Sequence, residues 1–477
     1  MQTVSDLYKK KRVDHWNKVA EKMDTWKSMG TYYHKRLTEI YKLLIPLGQK
    51  VLDIGCAQGD LLSALEPSEG VGIDFSHEMI KRGNLKYPTI QFIEADAHDL
   101  SEIKMKFDFI ILSDLINDLY DVQTVFLQIK NLVSPHTRII INTYSRLWEL
   151  PLRWVERFGL TKPNLQQNWL TVEDVTNLLH LADMEVIAHW EEILSPLSIP
   201  LIDVIANRFL VKIKPFNVLA LTNFMVAKPS PNIIARAEEP IVSVIIPARN
   251  EAGNIPQIML RVPEMGRGTE FIFVEGHSHD NTYAVIESEI SKHPERNCKL
   301  FRQTGKGKGD AVRIGFDKAE GDILMVLDAD LTVQPEDLPR FYEALTSGKG
   351  EFINGVRLVY PMETKAMKFF NLVGNKFFSL AFSYLLGQPI KDTLCGTKVL
   401  WKSDYERISA NREYFGDFDP FGDFDLLFGA AKLKLKIIDL PIRYRERVYG
   451  TTNIQRWKHG WLLLRMVIFA AWRIKFV

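Results

Sequence analysis

Five apolar residues at positions 323–327 are followed directly by two aspartates, Asp328 and Asp330. A short run without charge is typical of a strand that is buried on both faces of a parallel sheet. In open α/β sheets, ligands bind beyond the carboxyl ends of the strands. The two carboxylates could therefore hold a divalent cation there, and such a cation commonly bridges the phosphates of a nucleotide. An acidic turn that binds nothing is the alternative.

The totals favour a cytoplasmic protein with more than one domain. A chain of 477 residues is too long for one ordinary core. Its formal net charge of +1 argues against a protein that binds nucleic acid over its whole surface. Its three cysteines are far apart and match no metal-binding spacing, which fits a reducing compartment. We find neither the apolar core of a signal peptide nor an apolar run long enough to span a membrane.

Prolines and small polar residues interrupt the hydrophobic pattern at residues 229–240, as is typical of a linker. We therefore predict two domains, residues 1–228 and 241–477. A helical cap is expected over residues 1–48, where apolar residues recur at three- and four-residue spacing. This cap is predicted to pack on the first domain, with a substrate lid as the alternative. Tyr32, Tyr33 and His34 precede the first strand at a place from which a lid could reach a ligand.

In the first domain, an apolar strand at residues 51–54 leads into the glycine turn Gly55 to Gly59. Glycines let the backbone approach a ligand closely. The next strand ends at Asp74, about 20 residues on, where a carboxylate can accept hydrogen bonds from ribose hydroxyls. The turn lacks the Gly-x-Gly-x-x-Gly spacing of nicotinamide-binding domains, which disfavours that class.

With these motifs, roughly residues 30–228 resemble the class I S-adenosylmethionine (SAM)-dependent methyltransferases. The resemblance implies a Rossmann-like fold, SAM as the cofactor and a methyl acceptor that no motif identifies. Methyl transfer needs mainly positioning and at most a general base, for which His98, Asp114, Asp118 and Tyr144 are candidates. A domain that binds SAM or a partner without methylating anything remains an alternative. The cofactor-binding residues that the resemblance implies are Asp53, Gly55, Cys56, Gly59, Asp74, Asp96, Ala97 and Ser113.

The second domain repeats the pattern of strands that end in polar residues. A strand at residues 241–246 precedes the segment from Pro247 to Glu251, and the next strand ends at Glu275. A glycine-rich loop then carries Lys306 and Lys308, and lysines in such a loop suit phosphates, with a solvated loop as the alternative. The buried strand and its two aspartates follow. The predicted fold class is α/β, with a doubly wound sheet in each domain.

This order of motifs resembles the family-2 glycosyltransferases of the GT-A fold, over roughly residues 241–455. The nearest subgroup is that of the dolichol-phosphate mannose synthase-like transferases, which move sugars to polyprenyl phosphates. The resemblance implies a nucleotide-sugar donor, magnesium or manganese, and inversion at the anomeric carbon. The residues implied are Asp328 and Asp330 for the metal and the diphosphate; Pro247, Arg249, Glu251, Glu275, Lys308 and Arg357 for the donor; and Asp392 and Arg447 as further catalytic residues.

The acceptor decides whether the reaction needs a base. Breaking a sugar–diphosphate bond requires neutralisation of the leaving phosphate, which a metal with Arg and Lys can supply. A polyprenyl phosphate is already anionic and needs no strong base. A saccharide hydroxyl, the alternative acceptor, would need one, and Asp392, Asp423 and Asp425 are the candidates.

Two segments, near residues 364–387 and 457–477, are basic, amphipathic and rich in aromatic residues. Helices of this kind lie in the bilayer interface and prefer anionic lipid. We therefore predict peripheral contact with the cytoplasmic face of a membrane. Packing of these helices on the other domain or on a second subunit is the alternative. The sequence does not predict the oligomeric state.

Overall fold

The computed structural model describes residues 4–22, 31–157, 165, 167–231, 238–357, 369–411, 422–445, 447, 449 and 456–476. The chain divides into two compact units between residues 234 and 235. Each unit is built on a seven-stranded sheet, so the predicted α/β class is confirmed. The exact domain limits stay a prediction, and residues 232–237 of the predicted linker lie outside the described residues.

The sheet of the first unit has the strand order β3-β2-β1-β4-β5-β7-β6. Strands β1 to β5 are parallel, and β7 runs antiparallel to both of its neighbours. The order reverses between β1 and β4, and ligands bind beyond the strand ends at such a reversal. The strands are β1 Lys50–Ile54, β2 Glu69–Asp74, β3 Gln91–Glu94, β4 Phe109–Ser113, β5 Arg138–Tyr144, β6 Met184–Glu192 and β7 Thr222–Pro229.

Helices cover both faces of this sheet. Strand β1 has apolar side chains on both sides, so both of its faces need cover. Leu52 and Ile54 are buried in one apolar layer, and Val51 is buried in the opposite one. One of these helices begins with a capping box: the Thr171 hydroxyl accepts from the N–H of Asp174, and the Asp174 carboxylate accepts from the N–H of Thr171. The helices described are α1 Val4–Lys22, α2 Thr31–Leu44, α3 Asp60–Ala64, α4 His77–Lys86, α5 Val122–Ile129, α6 Glu149–Arg157, α7 Val172–Leu181 and α8 Ile202–Val204.

The sheet of the second unit has the order β10-β9-β8-β11-β13-β12-β14. Strands β8 to β11 are parallel, whereas β13 runs antiparallel to β11 and β12. Here the order reverses between β8 and β11. The strands are β8 Ile241–Ala248, β9 Gly268–Glu275, β10 Asn297–Arg302, β11 Ile323–Val326, β12 Phe352–Val356, β13 Lys398–Trp401 and β14 Ile437–Pro441.

Strand β11 is buried on both faces, as its sequence predicts. Leu324 and Val326 lie in one core layer, and Ile323 and Met325 lie in the other. The helices described in this unit are α9 Ile255–Arg261, α10 Thr282–Lys292, α11 Lys308–Lys318, α12 Leu338–Thr346, α13 Phe369–Leu386, α14 Lys402–Ala410, α15 Asp423–Lys432 and α16 Arg456–Ala470.

Helices α13 and α16 cover most of the two segments that we expect at a membrane, although residues 364–368 lie outside the described residues. One side of each helix is buried, with Phe382 of α13 and Met466 of α16 in the same core layer. Large apolar side chains on the other side are exposed, among them Leu380 (73%) and Trp461 (63%). Across the described ranges, no helix combines the length and the apolar character that crossing a bilayer requires.

Candidate active sites

In the first unit, the turn after β1 brings two acidic side chains together. The backbone N–H of Ala57 and that of Ser76 donate to the two carboxylate oxygens of Asp74, each at 2.9 Å. Asp53 is buried, and among the described residues its Oδ1 has no hydrogen-bond partner. Burial, with the charge of Asp74, raises the pKa of Asp53 to about 8, and burial raises that of Asp74 to about 6. The pair therefore favours a ligand that brings positive charge or hydrogen-bond donors.

The backbone conformation and the packing of this turn favour glycine at positions 55 and 59. Gly55 and Gly59 have φ values of 78° and 82°, which L side chains rarely adopt. A Cβ on Gly59 would also lie 2.5 Å from the ring of Phe92. Cys56, the other predicted residue of this turn, is a buried thiol whose pKa is raised by that burial.

Helix α1 lies across the ends of β3 and β4. Lys9 Nζ is 2.9 Å from Asp96 Oδ2, and Arg12 Nε donates to Asp118 Oδ1 at 3.0 Å. Trp16 Nε1 donates to Asp118 Oδ2 at 2.8 Å. The helix therefore packs across the edge at which the cofactor residues are predicted, and its role as a lid stays a hypothesis.

The other predicted residues of the first unit lie at the same edge. Asp96 accepts a hydrogen bond from the backbone N–H of His98 and lies 2.7 Å from His98 Nδ1. Burial by itself would raise the pKa of Asp96, but His98 and Lys9 hold that pKa below the usual range. Ala97 is buried beside it, and Ser113 is the last residue of β4. The structure therefore places all eight predicted cofactor residues around the reversal between β1 and β4, at the carboxyl ends of β1 to β4.

Residues of this edge fit SAM by their chemistry. Oδ1 of Asp53, which has no hydrogen-bond partner among the described residues, suits the ammonium group of a methionine moiety. The glycine turn suits a close approach of the protein backbone to that moiety. Asp74 suits ribose hydroxyls once its backbone donors are shared or displaced.

In the second unit, Asp328 forms an ion pair with the lysine of the glycine-rich loop. Lys308 Nζ is 2.6 Å from Asp328 Oδ1, and the two side chains are 25% and 26% exposed. Although desolvation opposes the charge of Lys308, the carboxylates of Asp328 and Asp423 hold its pKa above the ordinary value. A Cβ on Gly396 would lie 2.1 Å from Asp328 Oδ2 and 2.2 Å from Lys308 Nζ. The pair therefore requires glycine at position 396.

Asp330 belongs to a second ion-pair group at the same strand end. Arg447 bridges two carboxylates, with Nη2 at 2.6 Å from Asp330 Oδ2 and Nη1 at 2.9 Å from Glu251 Oε1. Thr332 donates to Asp330 Oδ1 through both its backbone N–H and its hydroxyl. Burial raises the pKa of Glu251 to about 7, although the Arg447 guanidinium favours the charged form. The predicted residues Glu251, Asp330 and Arg447 are thus in direct contact.

Arg357 and Asp392 form a separate, buried pair. Arg357 Nε and Nη2 donate to the two oxygens of Asp392 at 2.7 and 2.9 Å. Asp392 is fully buried, and although its burial opposes ionisation, Arg357 holds its pKa below the ordinary value. The ionised Asp392 holds the guanidinium of Arg357 in position. That Asp392 also touches the substrate stays a prediction.

The predicted nucleoside-side residues follow β8 and β9, which pair in parallel up to Ala248 and Glu275. The N–H of Ser278 donates to Glu275 Oε1 at 2.5 Å. Pro247 is partly exposed and Arg249 is exposed, so both remain accessible to a ligand.

The residues after β11 suit a divalent cation that shares its ligands with a bound diphosphate. Asp328 and Asp330 supply hard oxygens and keep 26% and 13% exposure. Within the residues that the structure describes, no three His, Cys, Asp or Glu side chains gather as ligands for a metal ion. Magnesium usually takes only one or two carboxylates and completes its shell with water and phosphate oxygens, so the donor set fits.

Sequence reasoning missed two residues of this site. Gly396 acts through its lack of a side chain, which matters only once the fold brings it against Asp328. Lys398 is a fully buried lysine in β13 that donates to the carbonyl of Cys395, and its charge acts on Asp392 and Asp423. A lysine inside an apolar strand is a pattern that could have drawn attention to it.

Both units are α/β folds, and each has charged groups at the point where its strand order reverses. These two strand-end sites define the class of protein. Residues 47–189 match the family model described as a methyltransferase domain, and residues 243–408 match the model of glycosyl transferase family 2. The chain thus matches a methyltransferase-domain family in its first half and glycosyl transferase family 2 in its second half. The predicted resemblance of both halves is confirmed, and with it the prediction that the domains are of enzyme families.

Relatives by sequence are sugar transferases. The dolichol-phosphate mannosyltransferase of Pyrococcus furiosus is 30% identical over 220 residues, which cover 45% of this chain and 59% of that protein. The undecaprenyl-phosphate 4-deoxy-4-formamido-L-arabinose transferase of Aeromonas hydrophila subsp. hydrophila is 31% identical, over 23% of this chain and 34% of that protein. The polyprenol monophosphomannose synthase of Mycolicibacterium smegmatis is 27% identical, over 44% and 80%. The chain thus spans well under two thirds of the first two of these relatives.

Solved structures that match include methyltransferases, at low similarity. A SAM-dependent methyltransferase of Thermotoga maritima has a TM-score of 0.36 and 11% identity, and covers 45% of this chain and 98% of that one. The magnesium protoporphyrin IX methyltransferase of Synechocystis PCC 6803 has a TM-score of 0.29 and 16% identity, over 41% and 84%. A likeness of this size carries no argument about function.

Proposed function

We propose that the second unit transfers a sugar from a nucleotide-sugar donor to a polyprenyl phosphate, with inversion and with a divalent metal. The observation that carries the proposal is the pair of ion-pair groups at the end of β11, Lys308 with Asp328 and Arg447 with Asp330. Both cations can exchange a carboxylate for a diphosphate oxygen without leaving the site. The printed names of the relatives, which include dolichol-phosphate and undecaprenyl-phosphate transferases, support the lipid-phosphate acceptor.

The residues divide the work of breaking the sugar–diphosphate bond. Lys308 and Arg447 neutralise the leaving diphosphate, and Arg357, held in place by Asp392, reaches a donor phosphate. A bound divalent cation would add Lewis-acid neutralisation of the same oxygens. The acceptor phosphate attacks as an anion, so the site needs to orient it and to exclude water rather than to deprotonate it.

A saccharide hydroxyl is the second candidate acceptor, and Asp423 is the observation that favours it. Asp423 is buried at the first turn of α15, and its burial raises its pKa, with Lys308 opposing the shift. A carboxylate with a raised pKa beside the donor-binding residues suits a general base. On this alternative, replacing Asp423 or Asp425 by Asn abolishes turnover, whereas lipid-phosphate transfer tolerates the loss of a base.

Membrane contact is part of the proposal. Helices α13 and α16 expose large apolar side chains, including Leu380 and Trp461, beside the exposed cations Lys376 and Arg465. Apolar and aromatic groups flanked by cations favour the interface of an anionic bilayer, where a polyprenyl phosphate would be presented. The expected location is the cytoplasmic face of the membrane.

For the first unit, we propose SAM-dependent methyl transfer. Asp53 would receive the ammonium group of SAM, Asp74 the ribose hydroxyls, and the residues near Asp96 would flank the adenine. The sulfonium supplies an activated methyl group when SAM is bound, so that the protein has mainly to align the acceptor with it. A domain that binds SAM without methylating anything is the alternative.

The glycosyltransferase proposal is tested by incubating the purified full chain with a panel of nucleotide sugars, magnesium or manganese, and polyprenyl phosphate. We expect a glycolipid with at least one donor, and its loss in the double variant Asp328→Asn with Asp330→Asn. Transfer to a saccharide with none to the lipid would support the second candidate. No product with any donor or acceptor would contradict the proposed class of reaction.

The methyltransferase proposal is tested by calorimetry with SAM and S-adenosylhomocysteine, followed by mass spectrometry of candidate acceptors. Binding that is lost in Asp53→Ala, together with methylated product, supports it. Binding without any product supports the alternative, and absence of binding would refute the assignment of the cofactor site.

A further inference from the structure

A cluster beside the predicted cofactor edge has the form of a ligand site. Asp114 follows β4 with a φ of 53°, and the hydroxyl of Tyr33 donates to both of its carboxylate oxygens at 3.0 Å. Asn142 Nδ2 donates to Oδ1 of the same carboxylate at 2.6 Å. Asp114 is therefore held by three hydrogen bonds just beyond the end of β4, next to the predicted cofactor residue Ser113.

Three aromatic rings continue from this carboxylate. The ring centres of Tyr33 and Tyr144 are 6.1 Å apart, and those of Tyr144 and Trp169 are 6.5 Å apart. Asp114, Tyr144 and Trp169 are all partly exposed, so the cluster can be reached from outside. We call Tyr33, Asp114, Tyr144 and Trp169 the aromatic cluster.

The segment that carries Trp169 is fixed by its neighbour. Asn168 Nδ2 donates to the carbonyl of Leu119 at 2.7 Å, and its own carbonyl accepts from Asn117 Nδ2 at 2.7 Å.

The charge of Asp114 is not balanced by a cation. In the described part of the chain, its hydrogen bonds come from the neutral groups of Tyr33 and Asn142, and no Lys, Arg or His forms an ion pair with it. Its burial raises its pKa to about 7. A carboxylate in such surroundings is stabilised by a cationic ligand, and the faces of Tyr and Trp rings attract cations as well.

We propose that the aromatic cluster is the methyl-acceptor site and that the acceptor is an amine. This inference rests on the proposed methyltransferase function. The amine enters as an ammonium ion, drawn by the carboxylate and the rings, and gives one proton to Asp114. Its freed lone pair then forms the N–CH₃ bond as the S–CH₃ bond of SAM breaks, and the bonding electrons stay on sulfur as the neutral thioether.

The test measures binding of a cation that cannot be methylated, so that it does not depend on the identity of the substrate. Benzyltrimethylammonium and the neutral benzyl alcohol are titrated into the full chain saturated with S-adenosylhomocysteine. Asp114→Asn is the informative variant, because Asn tolerates a positive φ and keeps the shape of the side chain. Asp183→Asn is the matched control, since Asp183 has a φ of 55° and pairs instead with Lys130.

We expect benzyltrimethylammonium to bind more tightly than benzyl alcohol, and Asp114→Asn to weaken it at least about tenfold, which corresponds to about 1.4 kcal/mol. Tyr144→Leu should weaken it by about three- to tenfold through the loss of one ring, and Asp183→Asn should leave it unchanged. Equal binding of the cation and the alcohol, or no effect of Asp114→Asn, would overturn the inference. Methylation of a panel of hydroxyl compounds with none of the matching amines would overturn it too.

Failure of the underlying function gives a different result. If S-adenosylhomocysteine itself does not bind, the methyltransferase assignment fails, and the inference fails with it. If it binds with normal affinity in wild type and Asp114→Asn, the cofactor site stands, and the cation titration alone decides the class of acceptor.

Discussion

The requirement for glycine at position 396 can be tested by adding one methyl group. In Gly396→Ala the new Cβ would lie 2.1 Å from Asp328 Oδ2 and 2.2 Å from Lys308 Nζ. An ordinary contact of this kind is at least 3.4 Å, so the carboxylate has to move by about 1 Å. Asp328 and Lys308 are both partly exposed, and they can shift without disturbing the core.

The expected effect is therefore on donor use and not on folding. A displacement of about 1 Å of a group that positions the substrate costs roughly a hundredfold in rate. This corresponds to about 2.7 kcal/mol of transition-state stabilisation. We expect kcat/KM for the nucleotide sugar to fall by this factor in Gly396→Ala, with the melting temperature within a few degrees of wild type.

The assay is sugar transfer at saturating metal and acceptor, with donor concentration varied. Gly268→Ala is the control, because a Cβ there meets nothing within 4 Å. Full activity of folded Gly396→Ala would refute the reasoning, since it would mean that Asp328 and Lys308 need not hold their observed positions. A large loss in Gly268→Ala would equally show that the effect is not specific to this contact.

Three further predictions concern other parts of the chain. Asp53→Asn should abolish SAM binding and should raise the free energy of unfolding by about 2–5 kcal/mol above pH 8, as measured in denaturant titrations. The reason is that the pKa of Asp53 is about 8 in the folded state and 3.8 ordinarily, so that the wild type loses stability as the pH rises from 3.8 to 8. Equal stability of the variant and the wild type at pH 8 would contradict this. Arg12→Ala should loosen α1 by roughly 2 kcal/mol, seen as faster hydrogen exchange in α1 and faster release of SAM; unchanged exchange would show that α1 is held by other contacts. Trp461→Glu should weaken binding to anionic vesicles several-fold without slowing transfer to a short-chain, water-soluble polyprenyl phosphate; unchanged sedimentation with vesicles would exclude α16 from the membrane surface.

The sequence was sufficient to predict what is encoded locally. The run at residues 323–327, which contains β11, is apolar throughout because its side chains are buried in two core layers, and its short length favours a strand over a helix. Several strand ends are marked by glycine or an acidic residue, so the positions of Asp53, Asp74, Asp328 and Asp330 relative to the sheets followed from the strand order.

Partners that are distant in the chain could not be predicted in this way. Arg447 joins Glu251, 196 positions earlier, and nothing near either residue in the sequence indicates the other. The burial of Asp392 beneath Arg357 was likewise not predictable, because an acidic residue near glycine is more often accessible. Helix α1 was expected from its apolar spacing, yet its polar residues Lys9 and Arg12 decide which edge of the sheet it crosses.

The balance of charge at each strand end indicates which ligand it takes. In the second unit, each aspartate of the pair already has a cation, Lys308 or Arg447, and an anionic diphosphate can compete for both cations. In the first unit, Asp53 and Asp114 have raised pKa values and no ion pair within the described residues, which favours a ligand carrying positive charge. SAM carries a sulfonium and an ammonium group, and an ammonium acceptor would bring another. The two sheets share a topology at their reversal, and under the proposed functions this opposite charge balance suits a cationic cofactor in the first unit and an anionic donor in the second.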